Sequence, residues 1–385
     1  MYREEGICVK LLEMKRTLFF IESLSGGGAE KVLITLLSHF DYDRCDVEVL
    51  TVSDVGLYKK DLEMILSQNS SHLVYRTICG DGKSLWQKIL YKLIYHFLPA
   101  WIVSAFFIPS GYDTYVAFVE GFCTKVLSCV KRRKIAWVHT DLLVYPWPLD
   151  NKIYKTLGEE KVAYKSYDQV VCVSHSVEGA MRNHYGLDNV LTIHNPVDVG
   201  AIKRDADAFM VSKKETFNLI SVGRLVKQKG YDLLIPLISK LRALSLNVCL
   251  DILGEGEERA HLEGIIKKEQ LTDVVHLLGY VNNPYPYVKN ADLFVCSSRV
   301  EGYSLVVAEA LVLGTPVISM RCSGPEELLG YGKYGLLCDD YEQLENKIAQ
   351  VIEDRNKYEE LKHMAEDGMA TYDIGQTMSR IYEIL

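Results

Sequence analysis

The stretch TLFFIESLSGGGAEKVL, residues 17–33, joins an apolar run, three adjacent glycines and a segment with helical spacing. This order predicts a buried strand that turns sharply into a helix. Glycines at such a turn let a ligand, commonly a phosphate, approach the N-terminus of the helix, where N–H groups and the helix dipole favour negative charge. The same residues also fit a tight turn that binds nothing.

The dinucleotide fingerprint G-x-G-x-x-G is only partly present in this stretch. Gly26 and Gly28 supply its first two glycines, but its third position is Lys31, which is neither Gly nor Ala. No G-x-x-x-x-G-K-[ST] run occurs in the sequence. A nicotinamide, flavin or P-loop nucleotide site is therefore disfavoured.

Alternation of strand-like and helix-like segments continues along the chain. The strand-like runs of the first half are TLFFIE, DVEVLTV, HLVYRTI, DTYVAFV, KIAWVH and QVVCVS, and those of the second are NLISVG, NVCLDILG, VVHLLG, ADLFVCS, PVISM and GLLCD. A polar stretch over 199–217 separates the two series. The pattern predicts two doubly wound α/β domains, residues 1–198 and 199–370, whose strand ends face one cleft where a ligand binds.

Composition is that of an ordinary globular protein of 385 residues, 48% hydrophobic and 24% charged. Ten single cysteines without a C-x-x-C pair, and no secretory apolar region, indicate a reducing compartment, and we expect the cytoplasm. The net charge of −8 arises in the second half of the chain. Because nucleic-acid binding needs a broad basic face, we expect no nucleic-acid partner.

Two motifs of the second half carry candidate chemistry. SVGRLVKQKGYDLLI, residues 221–235, places Arg224 and Lys229 between a strand and a helix, where two cations could hold a diphosphate. SSRVEGYSLVVAEALVLGTPVI, residues 297–318, places Glu301 before a helix and Glu309 inside its apolar body. A carboxylate in such a helix needs hydrogen-bond donors, and sugar hydroxyls are suitable ones.

These motifs resemble the retaining glycosyltransferases of family 4, which have the GT-B fold of two Rossmann-like domains facing across a cleft. The matching pieces are GRLVKQKG, ILGEGEER, LLGYV, ADLFVCSSRVEGYSLVVAEALVLGTPVI and SGPEELL in the second half, with SGGGAEKVL and WVHTD in the first. The two glutamates with seven residues between them are a specific signal. In this fold the last helix often returns to the first domain, which implies that 371–385 crosses back.

The resemblance assigns roles to individual residues. It implies that Arg224 and Lys229 hold the donor diphosphate, that Glu309 accepts from the ribose and Glu301 from the transferred sugar, and that His139 faces that sugar. The catalytic set is thus His139, Glu301, Arg224 and Lys229. The other implied donor contacts are the glycines Gly26, Gly27 and Gly28, Tyr280, Val281, whose backbone would meet the nucleobase, and the loop residues Gly302, Tyr303, Ser304 and Leu305.

No D-x-D motif stands at a predicted strand end, and the Arg224 and Lys229 cations can neutralise the departing charge. We therefore expect no metal and no cofactor, the nucleotide-sugar being a substrate. Retention of the anomeric configuration is implied by the resemblance. Family members often have Pro or Gly where this chain has Ser304, so the donor sugar is not fixed. A UDP-sugar is the preferred donor, with a GDP-sugar as the alternative.

The predicted function is sugar transfer from a nucleotide-sugar to a glycan or lipid-linked acceptor in bacterial-type surface polysaccharide or glycolipid synthesis. One alternative is a non-hydrolysing nucleotide-sugar epimerase, which would bind the same donor and use no acceptor. Another is a non-catalytic partner subunit of a transferase. Intact glutamates, cations and glycines disfavour the second alternative.

KSLWQKILYKLIYHFLPAWIVSAFFIP, residues 83–109, carries Lys88, Lys92 and His96 on one helical stripe and apolar side chains around much of the rest. Its uncharged part is too short to span a bilayer but could lie on one. KRRK, residues 131–134, adds four cations. We expect peripheral contact with the inner face of the plasma membrane. The alternative is a helix buried inside the domain.

Overall fold

The computed structural model describes residues 14–385, which form two β-sheets covered by helices. The strands of the first sheet are β1 (Lys15–Ile21), β2 (Cys45–Thr51), β3 (Leu73–Thr77), β4 (Thr114–Ala117), β5 (Lys134–Val138), β6 (Gln169–Cys172) and β7 (Val190–Thr192). Those of the second are β8 (Phe217–Val222), β9 (Val248–Leu253), β10 (Val275–Gly279), β11 (Leu293–Cys296), β12 (Val317–Met320) and β13 (Leu336–Cys338).

Helices connect the strands throughout the described part of the chain. Those up to Thr192 are α1 (Gly28–Ser38), α2 (Lys59–Gln68), α3 (Leu85–Lys92), α4 (Ala100–Phe107), α5 (Phe122–Leu127), α6 (Trp147–Asp150), α7 (Leu157–Lys165) and α8 (His175–Asn183). The later ones are α9 (Val199–Ala206), α10 (Tyr231–Ala243), α11 (Arg259–Lys268), α12 (Tyr285–Asn290), α13 (Leu305–Val312), α14 (Ser323–Leu328), α15 (Tyr341–Glu353), α16 (Arg355–Met369) and α17 (Ile374–Ile384).

Both sheets have the doubly wound strand order. The first runs β3-β2-β1-β4-β5-β6-β7 and the second β10-β9-β8-β11-β12-β13. In each sheet the first three strands extend from the centre to one edge, and the next strand returns to the other side of the first. Thus β1 pairs in parallel with β2 and β4, and β8 pairs in parallel with β9 and β11. The prediction of two doubly wound α/β sheets is confirmed.

The central strands are mostly apolar because helices cover both faces of each sheet. All six residues of β9 are buried, as are all four of β11. Apolar residues of β8 lie in two separate cores: Leu219 packs with α10 and α11, and Ile220 packs with α13. This two-sided burial fixes the strand ends, from which the loops of the candidate site emerge.

The chain separates into two compact units. One contains the described residues up to Ala136, together with Gly158–Gln169 and Leu385, and the other contains Trp137–Leu157 and Val170–Ile384. The domain limits at 198 and 370 that the sequence pattern indicates stay a prediction. The crossing of residues 371–385 back to the first domain also stays a prediction. Within the first unit, Thr114 Oγ1 donates to the carbonyl of Leu385 at 3.0 Å.

The apolar segment 83–109 forms two short helices instead of one. α3 begins with a capping box in which Ser84 and Gln87 bond each other's backbone N–H groups, and a π-helical turn over Leu93–Phe97 follows it. Pro99 then separates this turn from α4. Within residues 14–385 we find no helix that combines the length and the hydropathy needed to span a membrane.

Candidate functional site

The candidate site lies where the strand order of the second sheet reverses, between β8 and β11. Leu219 and Ile220 of β8 pair in register with Leu293 and Phe294 of β11. The two loops that leave the carboxyl ends of these strands therefore start side by side, at the place where doubly wound sheets bind ligands. These loops carry the two motifs that the sequence singled out.

A buried ion pair joins the two loops. Lys229 Nζ lies 2.5 Å from Glu301 Oε1, with the side chains 17% and 10% exposed, and Ser298 Oγ donates to the same oxygen at 2.8 Å. Burial lowers the pKa of Lys229, but the charge of Glu301, its hydrogen bond and the neighbouring Tyr231 together raise the pKa to about 12. Lys229 is thus an ammonium whose charge is already balanced by a carboxylate.

This pairing adds a contact that the sequence did not predict. The resemblance assigned Lys229 to the diphosphate and Glu301 to the sugar, whereas in the structure each is the other's partner. Arg224, in the same loop, is exposed to solvent. Whether these residues also contact the donor stays a prediction.

Backbone contacts hold the two loops in place. Gly230 has φ +70°, and a Cβ there would lie 2.1 Å from the carbonyl oxygen of Ser297, so the position requires glycine. Ser297 Oγ donates to the carbonyl of Lys229 at 2.7 Å, and Tyr341 OH donates to the carbonyl of Ser297 at 2.7 Å. The loops therefore form one hydrogen-bonded structure around the ion pair.

Glu309 lies on α13 and is buried, as the sequence predicts for a carboxylate in an apolar helix. The hydroxyl of Tyr285, at the start of α12, donates to Glu309 Oε1 at 3.4 Å. Tyr285 was missed because nothing in the sequence links it to Glu309. A role of Glu309 toward a ribose stays a prediction.

Tyr280 and Val281, two of the predicted donor contacts, follow β10. Gly279, with φ +78°, ends that strand, and its carbonyl accepts a hydrogen bond from the amide of Gly254 at 2.8 Å. Tyr280 is exposed, whereas Val281 is partly buried and packs against the core beside α13. The contact of Val281 with a nucleobase and the contact of Tyr280 with the donor stay predictions.

His139 follows β5, and the structure brings it to the loop before α13. A Cβ on Gly302 would lie 2.0 Å from the carbonyl oxygen of His139, so only glycine allows this approach. The neighbouring Asp141 is buried and accepts from Ser323 Oγ at 3.2 Å and from the Leu143 amide at 3.0 Å. Asp141 was not predicted as a site residue, although it lies within the WVHTD stretch.

Ser304 precedes α13 in an unusual conformation. Its φ of 66° and ψ of 75° are left-handed, and its buried Oγ has no hydrogen-bond partner among the described residues. Left-handed backbone costs an L-residue roughly 1–2 kcal/mol, and strain of this kind collects at ligand sites. Tyr303 and Leu305 flank it, and the first amides of α13 point out of the helix as potential donors.

The three glycines of the opening stretch form the turn between β1 and α1 in the first unit. Gly26 has φ +103°, Gly27 precedes the helix and Gly28 is its first residue. The N-cap position is Gly27, which has no side chain to cap the helix, and amides at a helix N-terminus are suited to an anion. The role of these glycines toward a donor diphosphate stays a prediction.

Glu22, just before these glycines, was missed by the sequence analysis. The hydroxyl of Tyr95 donates to both of its carboxyl oxygens at 3.3 Å. Burial raises the pKa of Glu22 to about 7; the Tyr95 hydrogen bond lowers it, and the charge of Glu30 raises it further. A carboxyl group that titrates near neutral pH is suited to general acid or base chemistry.

Comparison with protein families gives two matches that together cover most of the chain. Residues 203–368 match the family described as glycosyl transferases group 1, and residues 26–200 match glycosyltransferase family 4. An uncharacterized glycosyltransferase of Haemophilus influenzae is 24% identical over 345 residues, which are 88% of this chain and 89% of that protein.

A second relative and a solved structure are also similar. The N-acetylgalactosamine-N,N'-diacetylbacillosaminyl-diphospho-undecaprenol 4-alpha-N-acetylgalactosaminyltransferase of Campylobacter jejuni is 34% identical over 176 residues, 46% of this chain and 44% of that one. The crystal structure of Anabaena HepE in complex with UDP-glucose has a TM-score of 0.73 at 20% identity, over 96% of this chain and 98% of that chain.

Replacing Ser304 with glycine should stabilise the protein by about 1 kcal/mol, because left-handed strain and a buried unpaired hydroxyl outweigh the added entropy of the unfolded chain. Thermal unfolding measures the gain. Ser245→Gly is the matched control, since Ser245 has φ 65° but is exposed. A gain no larger than that of Ser245→Gly would show that the Ser304 hydroxyl costs nothing.

Glu22 should make the stability of the protein depend on pH. Its pKa is about 7 when folded and 4.5 in the reference state. The folded state therefore binds this proton more tightly than the unfolded state does. The resulting stabilisation of the folded state is fully present below pH 4.5 and is lost as the pH rises through 7. Between these pH values Glu22 should change the free energy of unfolding by up to about 3 kcal/mol, and we expect Glu22→Gln to remove this change.

Thermal unfolding between about pH 5 and pH 8 tests this expectation. Glu63→Gln, which changes an exposed glutamate of α2, is the control. Equal pH dependence in wild type, Glu22→Gln and Glu63→Gln would contradict the elevated pKa.

Proposed function

We propose that this chain, a group 1 glycosyltransferase of the GT-B type, transfers a sugar from a UDP-sugar to a lipid-linked or glycan acceptor. The observation that carries the proposal is the meeting of the two motif loops at the reversal point of the second sheet. There the Arg224 loop, the Lys229–Glu301 ion pair and the loop before α13 adjoin one another.

The leaving diphosphate is the group that this edge is suited to receive. Arg224 is exposed in the loop that also carries Lys229, and a guanidinium can donate two parallel hydrogen bonds to phosphate oxygens. The amides at the start of α13 lie in the adjoining loop and favour negative charge. Because these groups can neutralise the departing nucleotide, the transfer we propose needs no metal ion.

The sugar would lie between Glu301 and His139. Glu301 already accepts from Lys229 and Ser298 through Oε1. The close approach of the His139 carbonyl to Gly302 places the segment after β5 beside the same loop. Retention of the anomeric configuration is part of the proposal, with the leaving phosphate assisting deprotonation of the acceptor at the same face.

The relatives support the choice of substrates. HepE was crystallised with UDP-glucose, which favours UDP over GDP as the donor nucleotide. The name of the Campylobacter jejuni relative specifies a saccharide on diphospho-undecaprenol. We therefore propose an acceptor of that chemical class, in the synthesis of a bacterial-type surface polysaccharide or glycolipid.

Contact with the inner face of the plasma membrane would give access to such an acceptor. Large apolar side chains of α3, the π-helical turn and α4 are exposed, with Trp86 and Phe106 each 78% exposed, and Leu85, Phe97 and Trp101 also open to solvent. A helix buried on all sides, the alternative that the sequence left open, would not expose them. Aromatic side chains of this kind are suited to the interface of a bilayer.

Basic residues of the same unit would add attraction to anionic lipids. Lys88, Lys92, Lys131, Arg132 and Arg133 are exposed. Lys134 is a correction to the four-cation cluster that the sequence indicated, because it is buried in β5 and its Nζ donates to the carbonyl of Val130 at 2.5 Å. The proposed surface therefore has three cations from that cluster.

Incubation with UDP-sugars and lipid-linked or glycan acceptors tests the proposed reaction. Wild type should release free UDP only when an acceptor is present. Arg224→Ala should reduce the rate roughly 10²–10³-fold, as expected for a lost charge-stabilising donor. Arg242→Ala, a change in an exposed cation that pairs with Asp273, should leave the rate unchanged.

Other results of this assay would replace the proposal. Interconversion of the donor sugar without acceptor would indicate an epimerase, and neither release nor interconversion across the donor and acceptor panel would indicate a binding subunit. Complete loss of transfer with EDTA, restored by a divalent ion, would overturn the proposal that the reaction needs no metal. A product with an inverted anomeric carbon would overturn the proposal that the configuration is retained.

Sedimentation with phospholipid vesicles tests the membrane contact. Wild type should pellet with anionic vesicles. A variant in which Lys88, Lys92, Lys131, Arg132 and Arg133 become glutamine should bind them less, since each cation near an anionic surface contributes about 1 kcal/mol. Lys267→Gln/Lys268→Gln, which changes two exposed lysines of α11 in the second unit, is the control and should bind as wild type does.

Wild type that stays in the supernatant with anionic vesicles would contradict the membrane contact. Equal pelleting of wild type and the five-residue variant would show that these cations are not the anchor.

A further inference from the structure

Two histidines and a glutamate from distant parts of the sequence meet in the second unit. His175 is the first residue of α8, His194 follows β7, and Glu327 lies on α14. One potential ligand atom from each lies within 4.8 Å of the others. This cluster, His175–His194–Glu327, is separate from the residues assigned to the donor.

The carboxylate of Glu327 is shared by the two imidazole rings. Its Oε1 lies 2.5 Å from His194 Nε2 and 3.8 Å from His175 Nε2. Its Oε2 accepts from the backbone amide of His175 at 2.8 Å, which fixes the carboxylate in this direction. Three ligand atoms thus converge on one point from α8, the segment after β7, and α14.

Further contacts orient the His175 ring. Its Nδ1 faces Glu178 Oε2 at 3.7 Å, while its Nε2 faces Glu327. Glu178 is itself held by Arg182 Nε at 2.8 Å and by Thr192 Oγ1 at 2.5 Å. A second carboxylate behind a histidine is the usual arrangement around metal-binding imidazoles, where it fixes the ring and increases its basicity.

A cavity of about 300 Å³ adjoins the cluster and is lined by His194, Glu327, Asn195 and Tyr372, among others. Asn195 is only 6% exposed, and neither its Oδ1 nor the Tyr372 hydroxyl has a hydrogen-bond partner among the described residues. Buried polar atoms are nearly always satisfied, so these point to a polar occupant of the cavity.

We propose that His175, His194 and Glu327 bind a divalent transition metal ion, with Zn²⁺ as the best match. Two imidazoles and one carboxylate are a known zinc ligand set, and three protein ligands leave a further position open. That position would face the cavity and hold water. On binding, Zn²⁺ would replace the hydrogen bond between His194 Nε2 and Glu327 Oε1, with each imidazole bound in its neutral form and the remaining ring proton on Nδ1.

The ion would act on the loop before α13 without taking part in the proposed transfer. The His194 ring packs against the ring of Tyr303, with 5.6 Å between centroids. Zn²⁺ would hold that ring, and hence the backbone of Tyr303, more firmly. This site does not depend on the identity of the donor or the acceptor.

Zinc titration of the metal-stripped protein, in competition with a chromophoric chelator, tests the proposal. Wild type should bind one equivalent of Zn²⁺. His175→Ala and His194→Ala should each weaken this binding by at least about tenfold, a loss seen even for outer contacts of metal ligands. His184→Ala, at the exposed end of the same helix, is the matched control and should bind as wild type does.

Circular dichroism shows whether each variant is folded, and His175, being exposed, can be removed with little effect on packing. Co²⁺ in place of Zn²⁺ should give a visible absorption band that the His175→Ala variant lacks. Absence of stoichiometric zinc binding by wild type would overturn the proposal. So would unchanged binding in both histidine variants, or binding that is lost in Cys129→Ser, which removes an exposed thiol.

Discussion

The ion pair between Lys229 and Glu301 is the constraint on which the site of the second sheet depends. It joins the loop after β8 to the loop after β11, and hydrogen bonds of Ser297 and Ser298 surround it. Removing one partner of a buried pair costs about 3–5 kcal/mol because the other charge is left uncompensated. The pair therefore fixes the geometry in which Arg224, Glu301 and the start of α13 adjoin.

Strand alternation predicted the two doubly wound sheets because buried parallel strands form nearly continuous apolar runs, as in β11. It also predicted that the motifs of Arg224 and Glu301 would leave strand ends. The order of the strands in the sheet brings these two motifs together, and no local pattern in the sequence reveals that order. The Lys229–Glu301 contact joins residues 72 positions apart and could not be read from spacing.

Residues whose roles arise from long-range packing were missed for the same reason. Glu22 titrates near neutral pH because its surroundings bury it, which no neighbouring residue in the sequence reveals. His194 and Glu327 are 133 positions apart and meet only through the fold. Lys134 was counted among exposed cations because its run is basic, yet its place in β5 buries it. In each case tertiary burial, and not residue type, decides the chemistry.

The left-handed backbone of Ser304 limits how loops of this kind can vary during evolution. Proline has a φ near −65° and cannot adopt the +66° of Ser304, whereas glycine adopts it freely. A relative with proline at this position must therefore follow another backbone path between Glu301 and α13, and its amides would point elsewhere. Selectivity for the sugar can thus diverge through a change in backbone conformation as well as through substitution of side chains.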